Sequence, residues 1–412
     1  MENEQYEVEI EKQDYFGNGI VRINDCVVFV EKAVKGDIVL IEITKHKKKF
    51  ALAKIIKIIK KSEDRVGNIC KYSNECGGCS LIHIAYDKQL EYKCDKLKEL
   101  LTREFGDNII FDKIESNYSC IEYRNKITLH FEKEELGLYE EKSNKLVPID
   151  KCTLVEPSIN NAIKEMKKLI KKEENAITNA VVKTSSNGEL LISLTGKIKK
   201  EEWIDKFPND SIYLNDELLH GKGKITEELC GYKFEISNKS FFQINKDMAE
   251  VLYKIVLDKT KKLSVKTALD LYCGTGTLTL ILGKYLENVV GIEKEKDAVI
   301  NANENKKLNN IENVSFIEGL VEEHLHEFES NVDLVVVDPP RGGMAKKATE
   351  HIKRISPKHI IYVSCNPITL VRDLKLLDEY ELKEVSPIDM FPNTYHVETV
   401  VLMSKKEQIE SK

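Results

Sequence analysis

The stretch TALDLYCGTGTLTL, residues 267–280, decides how this chain is read. Thr267 to Leu271 is a short apolar run, the signature of a buried strand. Cys273-Gly-Thr-Gly276 makes a turn, and Leu278 to Tyr285 follows as a helix. Glycines at a strand-to-helix turn permit backbone conformations that a Cβ forbids and let the main chain approach a ligand closely. Gly-x-Gly alone would serve equally as a tight turn with nothing bound. Here the next strand, Val289 to Glu293, ends in an acid 17 residues beyond Gly276. A carboxylate at such a strand end can accept both hydroxyls of a ribose. The two features together predict a nucleoside-cofactor site that includes Glu293. The short Gly-Thr-Gly form, without the longer dinucleotide fingerprint, favours S-adenosylmethionine over NAD.

Outward from this turn the same alternation continues. Lys246 to Thr260 reads as helix, and Val314 to Glu318, Leu334 to Val337, Ile360 to Ser364 and Thr399 to Met403 read as strands. The rhythm predicts a doubly wound, mostly parallel α/β sheet of Rossmann type over residues 241–412. Ligands of such sheets bind at the carboxyl ends of the strands. Three places at strand ends carry reactive or rigid sequences. Leu334 to Val337 runs into Asp338-Pro-Pro-Arg341, whose prolines fix the backbone beside a planar base. Ile360 to Ser364 delivers Cys365-Asn-Pro367, and the loop Met390-Phe-Pro-Asn-Thr-Tyr-His-Val-Glu398 ends in an acid just before the last strand.

A lone cysteine at a strand terminus is often a buried structural thiol. Paired with Glu398, Cys365 acquires a chemical meaning. C5 of uracil is a poor nucleophile. A thiolate adding to C6 turns C5–C6 into an enolate that can attack a sulfonium methyl group. The C5 proton must then be removed so that the thiolate can leave. Such a reaction needs one cysteine and one general base. Cys273 lies inside the glycine turn, beside the cofactor rather than across from it, and reads as structural.

The first sixty residues differ in character. Val8 to Lys12, Gly19 to Ile23, Cys26 to Val30, Asp37 to Ile43 and Phe50 to Ile59 are short β-rich runs separated by turn residues. They predict an OB-like β-barrel over residues 1–61. The whole chain has 412 residues and a net charge of −6, an average that does not suggest a nucleic-acid binder. Ile43 to Lys61, however, holds eight lysines and no acid, either a solvated edge or a phosphate-contacting stripe. No run approaches the roughly 18 apolar residues of a membrane span, and the polar start shows no targeting segment, so a cytoplasmic location is expected.

Residues 62–240 read as a central α+β segment. Ile84 to Phe105 and Ile159 to Lys172 are its helices, and Ile121 to Phe131, Leu136 to Tyr139, Ala180 to Lys183 and Leu190 to Thr195 its strands. Cys70, Cys76 and Cys79 are closely spaced, and Cys152 stands far beyond them in the chain. Four thiolates can hold zinc or an iron–sulfur cluster. Three near ligands and one distant fit [4Fe–4S] better but leave zinc open.

These motifs together resemble the bacterial 23S ribosomal RNA uracil-5-methyltransferases that carry a TRAM domain and an iron–sulfur cluster. The resemblance runs nearly end to end. It rests on the four cysteines, Ser240-Phe-Phe-Gln-Ile-Asn245, Asp270 to Gly276, Asp338 to Arg341, Val363-Ser-Cys-Asn-Pro367 and His396-Val-Glu398. It implies a TRAM module at the N-terminus and a [4Fe–4S] cluster on Cys70, Cys76, Cys79 and Cys152. It implies cofactor contacts from Gln243, Tyr272, Glu293 and Asp338, with Cys365 as nucleophile and Glu398 as base. The Thr277 position is often Asn in the family, and no cofactor contact is expected from it. Phe241 falls where the family stacks an aromatic on the target base; otherwise it is a core phenylalanine. Tyr123-Arg124-Asn-Lys126 resembles a basic RNA-facing motif, which brings Arg124 and Lys126 to the substrate. The helix after the cysteine trio is expected to pack on the catalytic domain.

The resulting expectation is methylation of a uridine C5 in 23S ribosomal RNA from S-adenosylmethionine, by a monomer with no protein partner and no membrane. A related transfer-RNA family lacks both the TRAM module and the cluster. Cytosine-C5 methylation calls for a cysteine after the proline of Asp338-Pro-Pro-Arg341, and none is there. A non-catalytic RNA-binding assembly factor would not need Cys365 and Glu398 intact.

Overall fold

The computed structural model describes residues 3–171, 176–328 and 332–406. Lys172, the expected end of the second central helix, lies outside them. The chain forms two compact units. One comprises Met1–Lys96, Leu138–Val147 and Phe391–His396, and the other Leu97–Gly137, Pro148–Met390 and Val397–Lys412. Among the described residues no helix is long and apolar enough to cross a membrane.

In the first unit a six-stranded sheet runs in the order Gln5–Glu9, Ile38–His46, Phe50–Lys60, Cys26–Val30, Gly19–Ile23, Lys12–Gln13. Period-2 alternation puts Val21, Val28, Val30, Val39, Ile41, Ile43, Ala51 and Ala53 into one core. The expected strand Val8 to Lys12 is two strands. The chain turns at Ile10, whose side chain is buried. Its amide donates to Asp37 O (2.9 Å) while Gly36 N donates to Ile10 O (2.8 Å). The two halves consequently pair with different neighbours. Arg65 clamps buried Asp37 (Nη2–Oδ2 2.6 Å). Burial by itself would raise the Asp37 carboxyl, but this guanidinium and the amides of Ser62 and Val34 hold it below its ordinary value.

The second unit contains a central sheet and a catalytic sheet. In the central sheet Lys126–Glu132, Ala176–Thr184, Leu190–Lys197, Ser211–Leu214 and Glu217–His220 are successive neighbours. The helix Pro157–Leu169 begins on proline at its first turn and buries Ile159, Ala162, Ile163, Met166 and Leu169 at helical spacing. The expected strand from Ile121 starts only at Lys126, because Glu122 sits at φ 53° and interrupts the extended run.

The catalytic sheet has eight strands in the order Val314–Glu318, Asn288–Glu293, Thr267–Leu271, Leu334–Val337, His359–Ser364, Glu398–Lys405, Tyr380–Ile388, Ile110–Phe111. The first five are parallel, and the pairs on both sides of Glu398–Lys405 are antiparallel. All four residues of Leu334–Val337 are buried, as a strand covered on both faces requires. Leu97 and Leu101, from the C-terminal part of the helix Tyr86–Phe105, join the core of this sheet.

Candidate active site

The glycine turn lies at the carboxyl end of Thr267–Leu271. Gly276 adopts φ 75° and a Cβ there would fall 2.5 Å from the Phe316 ring, so only glycine fits. Tyr272 is also left-handed (φ 65°), with its amide donating to Ile292 O (2.9 Å). Cys273 packs against the neighbouring strand, where a Cβ on Gly291 would approach its sulfur to 2.8 Å. This packing agrees with its reading as a structural thiol.

Around the turn lies a cleft of about 410 Å³, open to solvent, whose walls include Phe241, Gln243, Tyr253, Asp270, Tyr272 and Asp338. Four residues singled out from the sequence, Phe241, Gln243, Tyr272 and Asp338, therefore meet here. Glu293 is not among the walls but is tied to the turn. Its carboxylate accepts from Gly274 N (3.1 Å) and Glu295 N (2.9 Å), which fixes it at the rim of the glycine turn. Thr277, from which no cofactor contact was expected, also lines the cleft. Tyr253 and Asp270 had no role assigned from the sequence. The signal for Asp270 was available, since an acid within an otherwise apolar buried strand must be satisfied by something. Its carboxyl accepts from Thr279 Oγ1 (2.6 Å) and is pushed up to about 7 by burial.

Cys365 and Glu398 meet through strand register. Ser364 pairs with Thr399 at the end of the antiparallel ladder, which brings Cys365, just past its strand, and Glu398, at the start of its own, into one corner where the Glu398 charge acts on the Cys365 thiol. Asn366 explains the residues after the cysteine. It caps the helix Pro367–Leu376 by accepting from Ile368 N (3.1 Å), Pro367 takes the first helical position, and Asn366 Nδ2 donates to Arg341 O (3.2 Å). That last bond ties the Asp338–Arg341 loop to the cysteine.

The electrostatics of this corner are those of acids crowded away from water. Burial first, then the Asp338 charge, pushes the Glu398 carboxyl well above the usual carboxylate range, while Arg341 acts in the opposite direction. Burial raises Asp338 as well. The Cys365 thiol is pushed up to about 11, by burial and then by Glu398; Arg341 is the charge that favours its thiolate. Burial therefore favours the protonated form of both the cysteine and the glutamate. Arg341 belongs to a motif legible in the sequence, but its electrostatic part emerges only from this packing.

Arg124 and Lys126 flank Asn125, which donates from Nδ2 to Gln243 O (3.0 Å) and from its amide to Ile244 O (2.9 Å). The basic motif is thereby fastened to the Ser240–Asn245 loop that enters the cleft. Arg124 stacks over the Tyr123 ring (5.6 Å).

Cys70, Cys76 and Cys79 belong to the first unit and Cys152 to the second, and all four are half-buried. Among the described residues no three or more His, Cys, Asp or Glu side chains are grouped so as to hold a metal ion. The chemistry of the donor set nevertheless fits a thiolate-bound group. Gly78 N donates to Cys76 Sγ (3.4 Å), an interaction that favours the thiolate, and the Cys152 main chain is fixed at N and O by the Asn160 amide (2.9 and 3.0 Å).

A doubly wound sheet with a glycine-turn cleft, and a cysteine in one corner with a buried acid beside it, defines a methyltransferase-type catalytic domain. Residues 85–406 match the family described as tRNA (uracil-5-)-methyltransferase and residues 1–56 match the TRAM domain. The chain belongs to this family of uracil-5 RNA methyltransferases. It is 36% identical to an uncharacterized RNA methyltransferase of Caldanaerobacter subterraneus, with 98% of each chain covered. It is 34% identical to another of Clostridium tetani, covering 98% of this chain and 96% of the relative. Among solved structures it is similar to the Pyrococcus abyssi tRNA (uracil-54, C5)-methyltransferase in complex with S-adenosyl-L-homocysteine. The TM-score is 0.80 and the identity 28%, covering 97% of this chain and 100% of that one.

Proposed function

We propose that this protein methylates C5 of a uridine in 23S ribosomal RNA, with Cys365 as nucleophile, Glu398 as general base and S-adenosylmethionine in the cleft. The observation that supports this reading is that Ser364–Thr399 pairing brings Cys365 and Glu398 into one corner with Asp338, which also lines the cleft. When bound, S-adenosylmethionine supplies a methyl group on a positively charged sulfur. In this reading Glu293, held by two amides, would accept ribose hydroxyls, and Gln243, Tyr272 and Asp338 would contact the rest of the cofactor.

Cys365 gives its proton to solvent, with Arg341 stabilising the thiolate, and its sulfur bonds to C6 of the uracil. The C5–C6 electron pair moves into an enolate, and C5 forms its bond to the methyl carbon as that carbon leaves sulfur. Glu398, having released its own proton to solvent, takes the C5 proton. The electron pair of that C–H bond restores the C5–C6 double bond as the C6–S bond breaks and thiolate is regenerated. Phe241, 59% exposed at the mouth of the cleft, offers a ring face to an extruded base.

The ribosomal substrate is favoured by the cysteine set together with the TRAM domain. The transfer-RNA reading has the Pyrococcus abyssi relative on its side. Mass-spectrometric mapping of both RNA classes from a deletion strain decides between them. Loss of a 5-methyluridine from 23S RNA is expected; loss confined to transfer RNA would replace the ribosomal assignment.

We further read Cys70, Cys76, Cys79 and Cys152 as the ligands of a [4Fe–4S] cluster. Anaerobically purified protein is expected to contain iron and acid-labile sulfide with broad visible absorbance, and Cys152→Ser to lose them. Stoichiometric zinc without iron would reject the cluster.

The lysine stripe is read as a phosphate-contacting surface of the TRAM domain. Lys47, Lys48 and Lys49 are exposed, whereas Lys54 already pairs with Glu42 (2.7 Å). Changing Lys47, Lys48 and Lys49 to alanine should flatten the salt dependence of RNA binding, the logarithmic slope falling by roughly 0.7–0.9 for each phosphate no longer neutralised. An unchanged slope in a filter-binding titration would make the stripe a solvated edge.

A further inference from the structure

The loop from Ser237 to Asn245 carries Phe241 and Gln243 to the cleft, and much of its fixing falls to a side chain that no sequence motif singles out. Lys183, near the end of the strand Ala176–Thr184, is buried. Its Nζ donates to three main-chain carbonyls: Ser237 O (3.1 Å), Asn238 O (2.7 Å) and Ser240 O (2.8 Å). We propose that Lys183 is a positioning residue for cofactor binding, its ammonium gathering the start of this loop so that Phe241 and Gln243 are presented to the cleft. The inference rests on the reading of that cleft as the S-adenosylmethionine site.

The geometry matches what an ammonium offers. It has three donors and no acceptor, and here each donor meets one carbonyl. Converging carbonyl dipoles repel one another unless a cation sits at their focus, and a buried cation is unfavourable unless so satisfied. The location carries a second penalty. Lys183 lies directly across from Lys126 in the antiparallel ladder, and like charges in that relation are destabilising. A residue retained only for sheet packing would be apolar here. The rest of the loop is held separately. Asn125 donates to Gln243 O and Ile244 O, Ser240 Oγ donates to Asn301 Oδ1 (2.8 Å), and Asn245 caps the helix Lys246–Lys261. Phe241 and Phe242 bridge the two anchored ends.

Burial, and then the Lys126 charge, brings the Lys183 ammonium down to about 7. Lys126 is the charge on the neighbouring strand. Glu189, just before the strand Leu190–Lys197, is engaged by Ser185 and the Thr226 amide; Glu227, on the separate strand Lys224–Leu229, by the Ser186 amide and Lys246; and Asp216 accepts from Asn238 Nδ2 (3.5 Å). A neutral amine keeps only two N–H groups and cannot serve three carbonyls. The loop clamp therefore weakens as pH rises through about 7. The contribution of the same group to global stability has the opposite sign. The unfolded chain binds this proton up to a higher pH, so the penalty of keeping it charged in the fold disappears as pH rises. Unfolding cannot imitate the predicted fall in cofactor affinity.

The test is calorimetric titration of the full-length protein with S-adenosylmethionine and S-adenosylhomocysteine from about pH 6 to about pH 9, a range spanning the shifted ammonium and comparing wild type, Lys183→Arg, Lys183→Met and Lys126→Met. The guanidinium stays charged throughout, so the ratio of wild-type to Lys183→Arg affinity isolates Lys183 from titration of the ligand or of the cleft acids. That ratio is expected to fall with rising pH. Lys126→Met should move the fall to higher pH, because one repulsive charge is gone. Lys183→Met should bind on the order of 10-fold more weakly at the acid end of the range, as removal of a charged donor implies. Should Lys183→Met fail to fold, the arginine and Lys126 variants carry the test. A pH-independent ratio, or a folded Lys183→Met that binds like wild type, overturns the proposal. Wild type that binds neither ligand overturns the cofactor reading and this one with it.

Discussion

Protein carrying Cys365→Ala is expected to transfer no methyl group and to form no covalent bond to RNA. Without sulfur at the strand end nothing adds to C6, and C5 stays too poor a nucleophile to take the methyl. The rate should fall by roughly 10⁴-fold or more, as when a covalent catalyst is stripped of its nucleophile. The fold should survive, because Cys365 lies just past its strand and the helix that follows is capped by Asn366 and started by Pro367. Methyl transfer to RNA from labelled S-adenosylmethionine, together with a denaturing gel for protein–RNA adducts, measures both effects. Retained methylation in this variant would remove Cys365 from the reaction and turn attention to Cys273.

Glu398→Gln should behave differently, because the base acts only after the methyl has moved. The variant is expected to attack C6, accept the methyl at C5 and stall, since the C5 proton cannot leave. A methylated protein–RNA adduct should accumulate and survive denaturation. RNA with 5-fluorouridine at the target should trap wild type in the same way, because fluorine replaces the proton to be removed. The electrostatics add a sign. The Glu398 charge raises the Cys365 thiol, so a neutral amide there lowers it. Adduct formation by Glu398→Gln should therefore reach its plateau at lower pH than formation of the fluorouridine adduct by wild type. In wild type, turnover should rise with pH above the usual carboxylate range, because the raised carboxyl must shed a proton before it can serve as a base. Turnover of the glutamine variant at the wild-type rate would assign the base elsewhere.

The sequence by itself determined six of the eight strands of the catalytic sheet, missing Tyr380–Ile388 and the edge strand Ile110–Phe111. An apolar run as short as Leu334–Val337 between turn residues reads as a strand buried on both faces, and the strand Val314–Glu318 has the expected bounds. The sequence also nominated Phe241, Gln243, Tyr272 and Asp338, which share one cleft, because strand-end motifs are local and their position in an open α/β sheet follows from topology. Only the tertiary structure decided matters that depend on long-range pairing. It broke Val8–Lys12 at Ile10, since the two halves pair with different partners. It brought Cys365 into one corner with Glu398, distant in the chain, through the Ser364–Thr399 pairing. It raised the acids and the thiol of that corner through shared burial, a property of the assembled site that no single motif carries. It provided Lys183 with three carbonyls to hold. In the sequence Lys183 is one lysine among many, because a hydrogen bond to main-chain oxygen leaves no trace in the identity of the residues that supply it.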